Sequence, residues 1–217
     1  MPSIAILGSG NGSNAQALID AVEAGTLEAT IACIISDVQN ARILERAKKH
    51  HIPAHYIDCA PSPHALRDQA EAAVLQLMEH YHIDYIILAG FMRIVKTDLL
   101  NRFPKKIINI HPSILPALKG LNTHQRALDA GVLHHGASVH IVTAALDDGP
   151  IILQADLEIS KDETTQTLAE RVLRLEHQLL PFVLASLVTG DLKLQNAVPH
   201  WANYADILAA ADAETRD

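Results

Sequence analysis

Short runs of β-branched and other apolar residues alternate along the chain with longer stretches whose apolar positions recur at helical spacing, the pattern of βαβ units around a parallel sheet. The short runs predict strands over 3–8, 30–36, 53–57, 84–89, 107–111, 137–143 and 151–158. The longer stretches predict helices over 14–24, 40–50, 63–80, 122–130 and 164–187. Tyr85-Ile86-Ile87-Leu88-Ala89 is apolar at every position, as expected of a central strand covered on both faces. In the last helix Leu168, Val172, Leu175 and Leu179 form one apolar stripe, Thr164 or Thr165 can cap its start, and Pro181 predicts a kink or break near residue 180.

One region departs from a pure alternation. Between Ser138 and Ile159 two strand-like runs flank Asp147-Asp148-Gly149-Pro150 with no helix between them, so they are expected to pair antiparallel or to run to different sheet edges. The expected fold is therefore α/β, a mostly parallel twisted sheet with a Rossmann-like N-terminal half. No repeat or Gly/Ser linker divides the 217 residues, so a single domain is expected. Its phosphate-binding half would span 1–100 and its catalytic half 101–200, followed by a loose Ala/Asp-rich tail from Asp206 to Asp217.

Composition narrows the partners. Apolar residues make up 49% and charged residues 19%, which suits a packed core and not a disordered chain. A formal charge of -8 argues against a nucleic-acid or anionic-membrane surface. Cys33 and Cys59 are too few for a disulfide framework, which points to a reducing, cytoplasmic compartment. The N-terminus lacks the basic region of a signal peptide, and no apolar run approaches the ~20 residues that span a bilayer. Although the chain has 13 His residues, His50, His51 and His55 lack the Cys or acidic partners of a zinc site, so no metal is expected.

Three constellations can carry chemistry. Gly8-Ser9-Gly10-Asn11-Gly12-Ser13-Asn14 lies between the first strand and the first helix, where free backbone N–H groups and the positive helix end suit a phosphate. A capped tight turn would look the same. A dinucleotide site is the competing ligand reading, with Ser13 at the third glycine of that fingerprint and Asp37 placed to meet a ribose. In Ile107-Ile108-Asn109-Ile110-His111-Pro112-Ser113 the strand period puts Asn109 and His111 on one face at the end of a strand, where α/β sites form. Finally, Ser138 and His140 share a strand face ahead of Asp147, which either caps the Gly149-Pro150 turn or joins the site. Asn, His and Asp make an acid/base and oxyanion set with no evident protein nucleophile, which suggests direct group transfer between two bound substrates.

These residues resemble the phosphoribosylglycinamide formyltransferases, or glycinamide ribonucleotide transformylases, over roughly residues 4 to 200. Four segments in order carry the resemblance: Gly10-Asn11-Gly12-Ser13-Asn14, Leu88-Ala89-Gly90-Phe91-Met92-Arg93-Ile94, Asn109-Ile110-His111-Pro112-Ser113 and Asp147-Asp148-Gly149-Pro150-Ile151-Ile152. The resemblance implies a formyltransferase fold, 10-formyltetrahydrofolate as co-substrate, glycinamide ribonucleotide as acceptor, a place in purine synthesis, and no metal. It also implies that Asn109, His111 and Asp147 are catalytic, and that Gly12, Ser13, Asn14 and Glu176 hold the ribonucleotide. By the same resemblance, Arg67, Met92, Arg93, Ile94, Val95, Asn109, Thr143, Ala144, Ala145, Leu146 and Asp147 hold the folate. The chain departs from the family pattern at Asn122, where a second His is common, and at Asp148, where glycine is common.

In the reaction so implied, Asn109 and a protonated His111 stabilise the oxyanion formed when the amine attacks the formyl carbon, and Asp147 helps move the amine proton. Formyltetrahydrofolate hydrolase and methionyl-tRNA formyltransferase use the same three residues. The start at the first strand and the end soon after Trp201 are expected to disfavour both, and the phosphate loop favours the ribonucleotide. A non-enzymatic nucleotide-binding regulatory module is the rival outside the enzymes.

Overall fold

The computed structural model describes residues 1–62, 64–195 and 198–201. In chain order the elements are β1 (Ser3–Leu7), α1 (Ser13–Glu23), β2 (Thr30–Ser36), α2 (Arg42–Lys49), β3 (Ala54–Tyr56), β4 (Ala65–Leu66), α3 (Asp68–His80), β5 (Tyr85–Leu88) and β6 (Ile94–Val95). They continue with α4 (Thr97–Arg102), β7 (Ile107–His111), α5 (Thr123–Asp129), β8 (His134–Ile141), β9 (Ile151–Glu158), α6 (Thr165–Thr189), β10 (Leu192–Gln195) and β11 (Val198–Trp201). Seven strands form one sheet in the order β3-β2-β1-β5-β7-β8-β9, parallel from β3 to β7 and antiparallel at β8 and β9. This is the mostly parallel α/β sheet that the alternation predicts, including the antiparallel pairing after Ser138.

The two-residue strand period explains the layering. Ile4 and Ile6 of β1, Ile87 of β5, and Ile108 and Ile110 of β7 point to a core shared with Leu18 of α1, Ile43 of α2 and Val172 of α6. Ala5, Leu7, Ile86, Leu88 and Ile107 point the other way, to a core with Val74 and Met78 of α3 and Leu99 of α4. Both faces of β5 are thus buried, so a charged residue anywhere in it would lack a partner.

Several boundaries differ from the sequence pattern. The helix expected over 63–80 begins only at Asp68, because Ala65 and Leu66 pair as a short strand with Ile94 and Val95. The strand expected over 137–143 runs from His134 to Ile141, since its partner β9 offers ladder positions back to Glu158. Helix α6 is continuous through Pro181 where a break was expected; Leu179, Leu180, Val183 and Leu184 on both sides of the proline are buried and hold the helix together. Its start does carry the expected cap, with Thr164 and Thr167 bonding reciprocally.

At 25 residues α6 is also long and apolar enough to cross a bilayer by length and composition, where no apolar run of that length was expected. Its apolar side packs within the fold against α1, β8 and β9. Helix α4 and the β10–β11 hairpin were not expected. The tail from Asp206 to Asp217 lies outside the described residues.

Candidate active site

Strand order reverses beside β1: the chain leaves it towards β2 and β3, then returns to the other side as β5 and β7. The crevice at such a reversal, beyond the carboxyl ends of the strands, is where open α/β sheets bind ligands. One row across the sheet shows what meets there. Leu7 is in register with Leu88, Leu88 with Asn109, and Asn109 with His140. At a strand spacing of about 4.8 Å, the glycine loop after Leu7 and the Asn109 backbone are about 10 Å apart, with the 89–95 segment between them.

The glycine loop has the backbone geometry that the anion reading expects. Gly12 adopts φ 73° at the N-cap of α1, with no side chain capping the helix. A Cβ there would stand 2.7 Å from the Cβ of Ile43, so α2 packs where only glycine fits. Helix α2 braces the loop further: the Ile43 N–H donates to the Gly10 carbonyl at 3.2 Å, and Arg46 donates to the Asn11 carbonyl at 2.8 Å and to Asn11 Oδ1 at 3.2 Å. The Arg46 guanidinium therefore lies beside Ser13, in a cleft that also involves Gln16 and His177. Sequence reading assigned Arg46 no role, since nothing in a helical stripe reveals that its head reaches a loop 35 residues away.

Behind the loop, Asn14 Nδ2 donates to Glu176 Oε2 at 2.6 Å, and both side chains are buried. Burial pushes the Glu176 carboxyl up from its ordinary value, while the Asn14 bond acts in the opposite direction. Asn14 Oδ1 is buried without a hydrogen-bond partner among the described residues. The pair expected from the resemblance is thus in direct contact, and it offers a ligand both an unused acceptor and a carboxyl group.

The three residues expected to be catalytic converge with a fourth. His140 Nδ1 lies 3.0 Å from the Ile141 carbonyl, which can only accept, so Nδ1 carries a proton and Nε2 is an acceptor. Asn109 Nδ2, at 2.9 Å, donates to that Nε2. The contact orients the Asn109 amide and leaves its second N–H for another acceptor. His111 Nε2 donates to the Leu118 carbonyl at 3.1 Å, and its Nδ1 faces Asp147 Oδ2 at 3.5 Å. Asp147 Oδ1 is 3.7 Å from His140 Nε2, and Oδ2 accepts from the Gly120 N–H at 2.9 Å. Asp147 therefore caps the loop at Gly120, where the sequence left open a cap on its own Gly149-Pro150 turn, and it also faces two imidazoles.

Burial lowers the pKa of His140 below the ordinary value, opposed in part by its contact with Ile141 and by the nearby Asp147 charge. His140 is the residue that sequence reading noticed without using. Its strand face was evident, but its pairing with Asn109 depends on the β7–β8 register. Ser138, two ladder positions along and opposite His111, is fully engaged: it donates to the Ser113 carbonyl at 2.6 Å and accepts from the Leu115 N–H and from Gln154. It holds the turn after His111 in place. Asn122, at φ 56°, is the N-cap of α5, and Asp148 pairs with Lys119.

The residues expected at the folate are distributed around this centre. Met92 is 56% exposed and Leu146 54% exposed, a degree unusual for large apolar side chains and consistent with a ligand surface. Thr143 and Ile94 are half-buried, while Ala144 and Ala145 are exposed. Arg67 is exposed at the start of α3, and its Nε lies 3.4 Å from the Asp68 carboxylate. Val95, by contrast, is buried within the core, and the Arg93 guanidinium turns onto Asp37 and the Ser62 carbonyl. Asp37, the candidate ribose acid of the dinucleotide reading, has both oxygens taken by Ser9 and Arg93.

A second histidine pair adjoins the centre. His124 Nδ1 and His135 Nε2 are 3.1 Å apart with perpendicular rings. Burial first, then the neighbouring His124 and His111, lowers the pKa of His135 from 6.5 to about 4. The unfolded chain therefore takes up a proton on His135 as pH falls from 6.5, while the folded chain resists until about 4. Stability from this group is present above that window and is lost on descending through it. Urea midpoints at pH 7 and pH 5 are expected to differ less in His135→Gln than in wild type; parallel midpoints would assign the acid sensitivity elsewhere.

The sequence matches the family model described as Formyl transferase over residues 3–184. It is similar to the phosphoribosylglycinamide formyltransferase of Haemophilus influenzae, 40% identical over 197 residues that cover 90% of this chain and 92% of that one. The structure is similar to that of glycinamide ribonucleotide transformylase 1 from Symbiobacterium toebii, with a TM-score of 0.87, 38% identity, and 93% of this chain and 94% of that one covered. It is also similar to a formyltetrahydrofolate deformylase from Pseudomonas syringae, with a TM-score of 0.85, 26% identity, and 92% of this chain but 65% of that one covered.

Proposed function

The chain belongs to the formyl transferase family, among the phosphoribosylglycinamide formyltransferases, and from this premise we propose that it moves the formyl group of 10-formyltetrahydrofolate to the amine of glycinamide ribonucleotide. The observation that carries this reading is the row from the glycine loop through the 89–95 segment to Asn109 and His140. It supports a phosphate-bearing acceptor at one end, a folate in the middle, and an oxyanion and acid/base group beside the formyl carbon. A nucleotide-binding regulatory module would need only the loop.

In this reading the N–H groups of Gly12, Ser13 and Asn14 bind the phosphate, and Asn14 and Glu176 meet the hydroxyl groups of the ribose. Arg67, the exposed faces of Met92 and Ile94, the backbone at Arg93 and Val95, and the loop from Thr143 through Ala144, Ala145 and Leu146 to Asp147 hold the folate. The amine nitrogen attacks the formyl carbon and the carbonyl π electrons move onto oxygen. The free N–H of Asn109 donates to that oxyanion.

His111 is the second donor. For its Nε2–H to reach the oxyanion it must leave the Leu118 carbonyl, so the 118–122 segment is the part of the site that adjusts. That segment carries positive φ at Leu118, Gly120 and Asn122, and Leu118 and Asn122 are thereby held in a sparsely populated conformation. Asp147 stabilises positive charge on His111 and helps carry the amine proton away. The C–N bond to the folate then breaks, and the folate nitrogen takes up a proton.

The direct test is an assay of the purified protein with one or both compounds. Tetrahydrofolate release is expected only when glycinamide ribonucleotide is present. Release from 10-formyltetrahydrofolate alone would favour the hydrolase reading, to which the Pseudomonas syringae deformylase is the structural precedent. A second expectation concerns the loop: replacing Ser13 and Asn14 together with Ala should weaken ribonucleotide binding about tenfold or more, through loss of charge-assisted contacts, and spare folate binding. Calorimetry showing weakened folate affinity and unchanged ribonucleotide affinity would reverse the assignment.

A further inference from the structure

Asp37 follows β2 and is buried, 8% exposed, at the base of the glycine loop. Its contacts run between the first residues of that loop and the 90–93 segment. Oδ1 accepts from Ser9 Oγ at 2.5 Å, and Oδ2 accepts from Arg93 Nε at 2.5 Å. The Ser9 hydroxyl accepts in turn from the Met92 N–H at 2.8 Å, and the Ser9 N–H donates to the Gly90 carbonyl at 2.9 Å. Arg93 is anchored a second time on the Ser62 carbonyl at 2.9 Å. The glycine loop and the 90–93 segment are therefore cross-linked by one hydroxyl and one carboxylate at the point where strand order reverses.

We propose that Asp37 is a positioning residue that, through Ser9 and Arg93, ties the glycine loop to the folate-facing segment and couples ribonucleotide binding to folate binding. This rests on the function proposed above. The physical basis is that Ser9 belongs to both segments at once. A phosphate seated on Gly12, Ser13 and Asn14 stiffens a loop whose Ser9 holds the Met92 amide, so the segment awaiting the folate is ordered before the folate arrives. By linkage, a bound folate strengthens ribonucleotide binding by the same factor. The carboxylate is needed because without it the largely buried Arg93 guanidinium would lose its counter-charge, keep the Ser62 carbonyl and turn outward.

Two variants separate coupling from folding. Asp37→Asn keeps an acceptor for Ser9 but removes the charge that holds Arg93. Ser9→Ala keeps the ion pair and removes only the bridge, so it decides the matter if Asp37→Asn does not fold. In wild type, saturating glycinamide ribonucleotide should tighten the binding of tetrahydrofolate, the product that cannot donate formyl, by about fivefold or more. Ribonucleotide alone should also slow hydrogen exchange of the 89–95 amides. Both effects are expected to vanish in each folded variant, with the affinity for ribonucleotide alone changed far less.

A purely structural role for Asp37 would lower the melting temperature and leave the coupling factor intact. Variants that keep the coupling, or wild type that binds both compounds without it, would overturn this inference alone. Wild type that binds neither compound would overturn the functional reading and this one with it.

Discussion

Replacing Asp147 with Asn is expected to slow formyl transfer by about 10² to 10⁴ while both substrates continue to bind. The substitution preserves shape, and its carbonyl oxygen can still accept the Gly120 N–H that Asp147 Oδ2 accepts at 2.9 Å. What disappears is the negative charge facing His111 Nδ1 at 3.5 Å and His140 Nε2 at 3.7 Å. With the carbonyl kept on Gly120 the new amide N–H would point at His140 Nε2, and the uncharged oxygen left facing His111 Nδ1 would no longer favour the cationic His111 of the proposed mechanism. Charge stabilisation of this kind matters in the transition state and little in the ground state, so the loss should fall on turnover. Single-turnover rates measured beside binding constants would show it. A folded variant with the wild-type rate would reduce Asp147 to a loop cap and remove the three-residue mechanism.

The second large effect is expected at Gly149, two residues further along the same loop. A Cβ there would stand 1.7 Å from the Ile141 carbonyl oxygen and 2.8 Å from its carbon. Neither is the movable end of a side chain: Ile141 is in register with Ile108 of β7 and accepts no displacement without opening that ladder. Its N–H is also bound to the Pro150 carbonyl at 2.9 Å, closing the turn from the other side. Gly149→Ala should therefore lose about 3 kcal/mol or more of stability, at the upper end of overpacking effects. Its remaining folded fraction should transfer formyl slowly, because relief of the clash moves the loop that carries Asp147. Gly10→Ala, where a Cβ would meet nothing within 4 Å, serves as the control with a midpoint near wild type. Equal urea midpoints for the two variants would mean that the β8–β9 turn relaxes freely.

Much of this architecture is written in local pattern. The apolar run at Tyr85–Leu88 specifies a strand buried on both faces, and the Asn109/His111 alternation specifies which side chains leave the core. Elements that depend on distant partners are not legible in that way. Helix α4 is six residues long, and its Leu99 N–H is satisfied by Glu71 of α3 at 2.9 Å, a contact that no local rule anticipates. Residues 65–66 read as helix because nothing nearby shows that Ile94 and Val95 will pair with them. The site divides along the same line. Residue types and strand faces point to Asn109, His111 and Asp147, whereas His140 requires the cross-strand register, and Arg46 and Asp37 require the packing of α2 and the 90–95 segment. The resemblance supplied Arg93 as a folate residue, but it could not supply the direction of its guanidinium.

The hydrogen bond between Asn14 and Glu176 joins residues 162 apart in sequence. Half of the pocket proposed for the ribonucleotide therefore emerges early in synthesis and the other half near its end. A nascent chain can lay down β1, the glycine loop and α1, but the acid that faces Asn14 and the helix that covers α1 come only with α6. In the proposed function, acceptor recognition is thus a property of the closed chain and not of its first half. Ligand affinity should appear late in refolding, after the central strands have gained protection, because contacts of such long range form only once the large intervening loop has been closed.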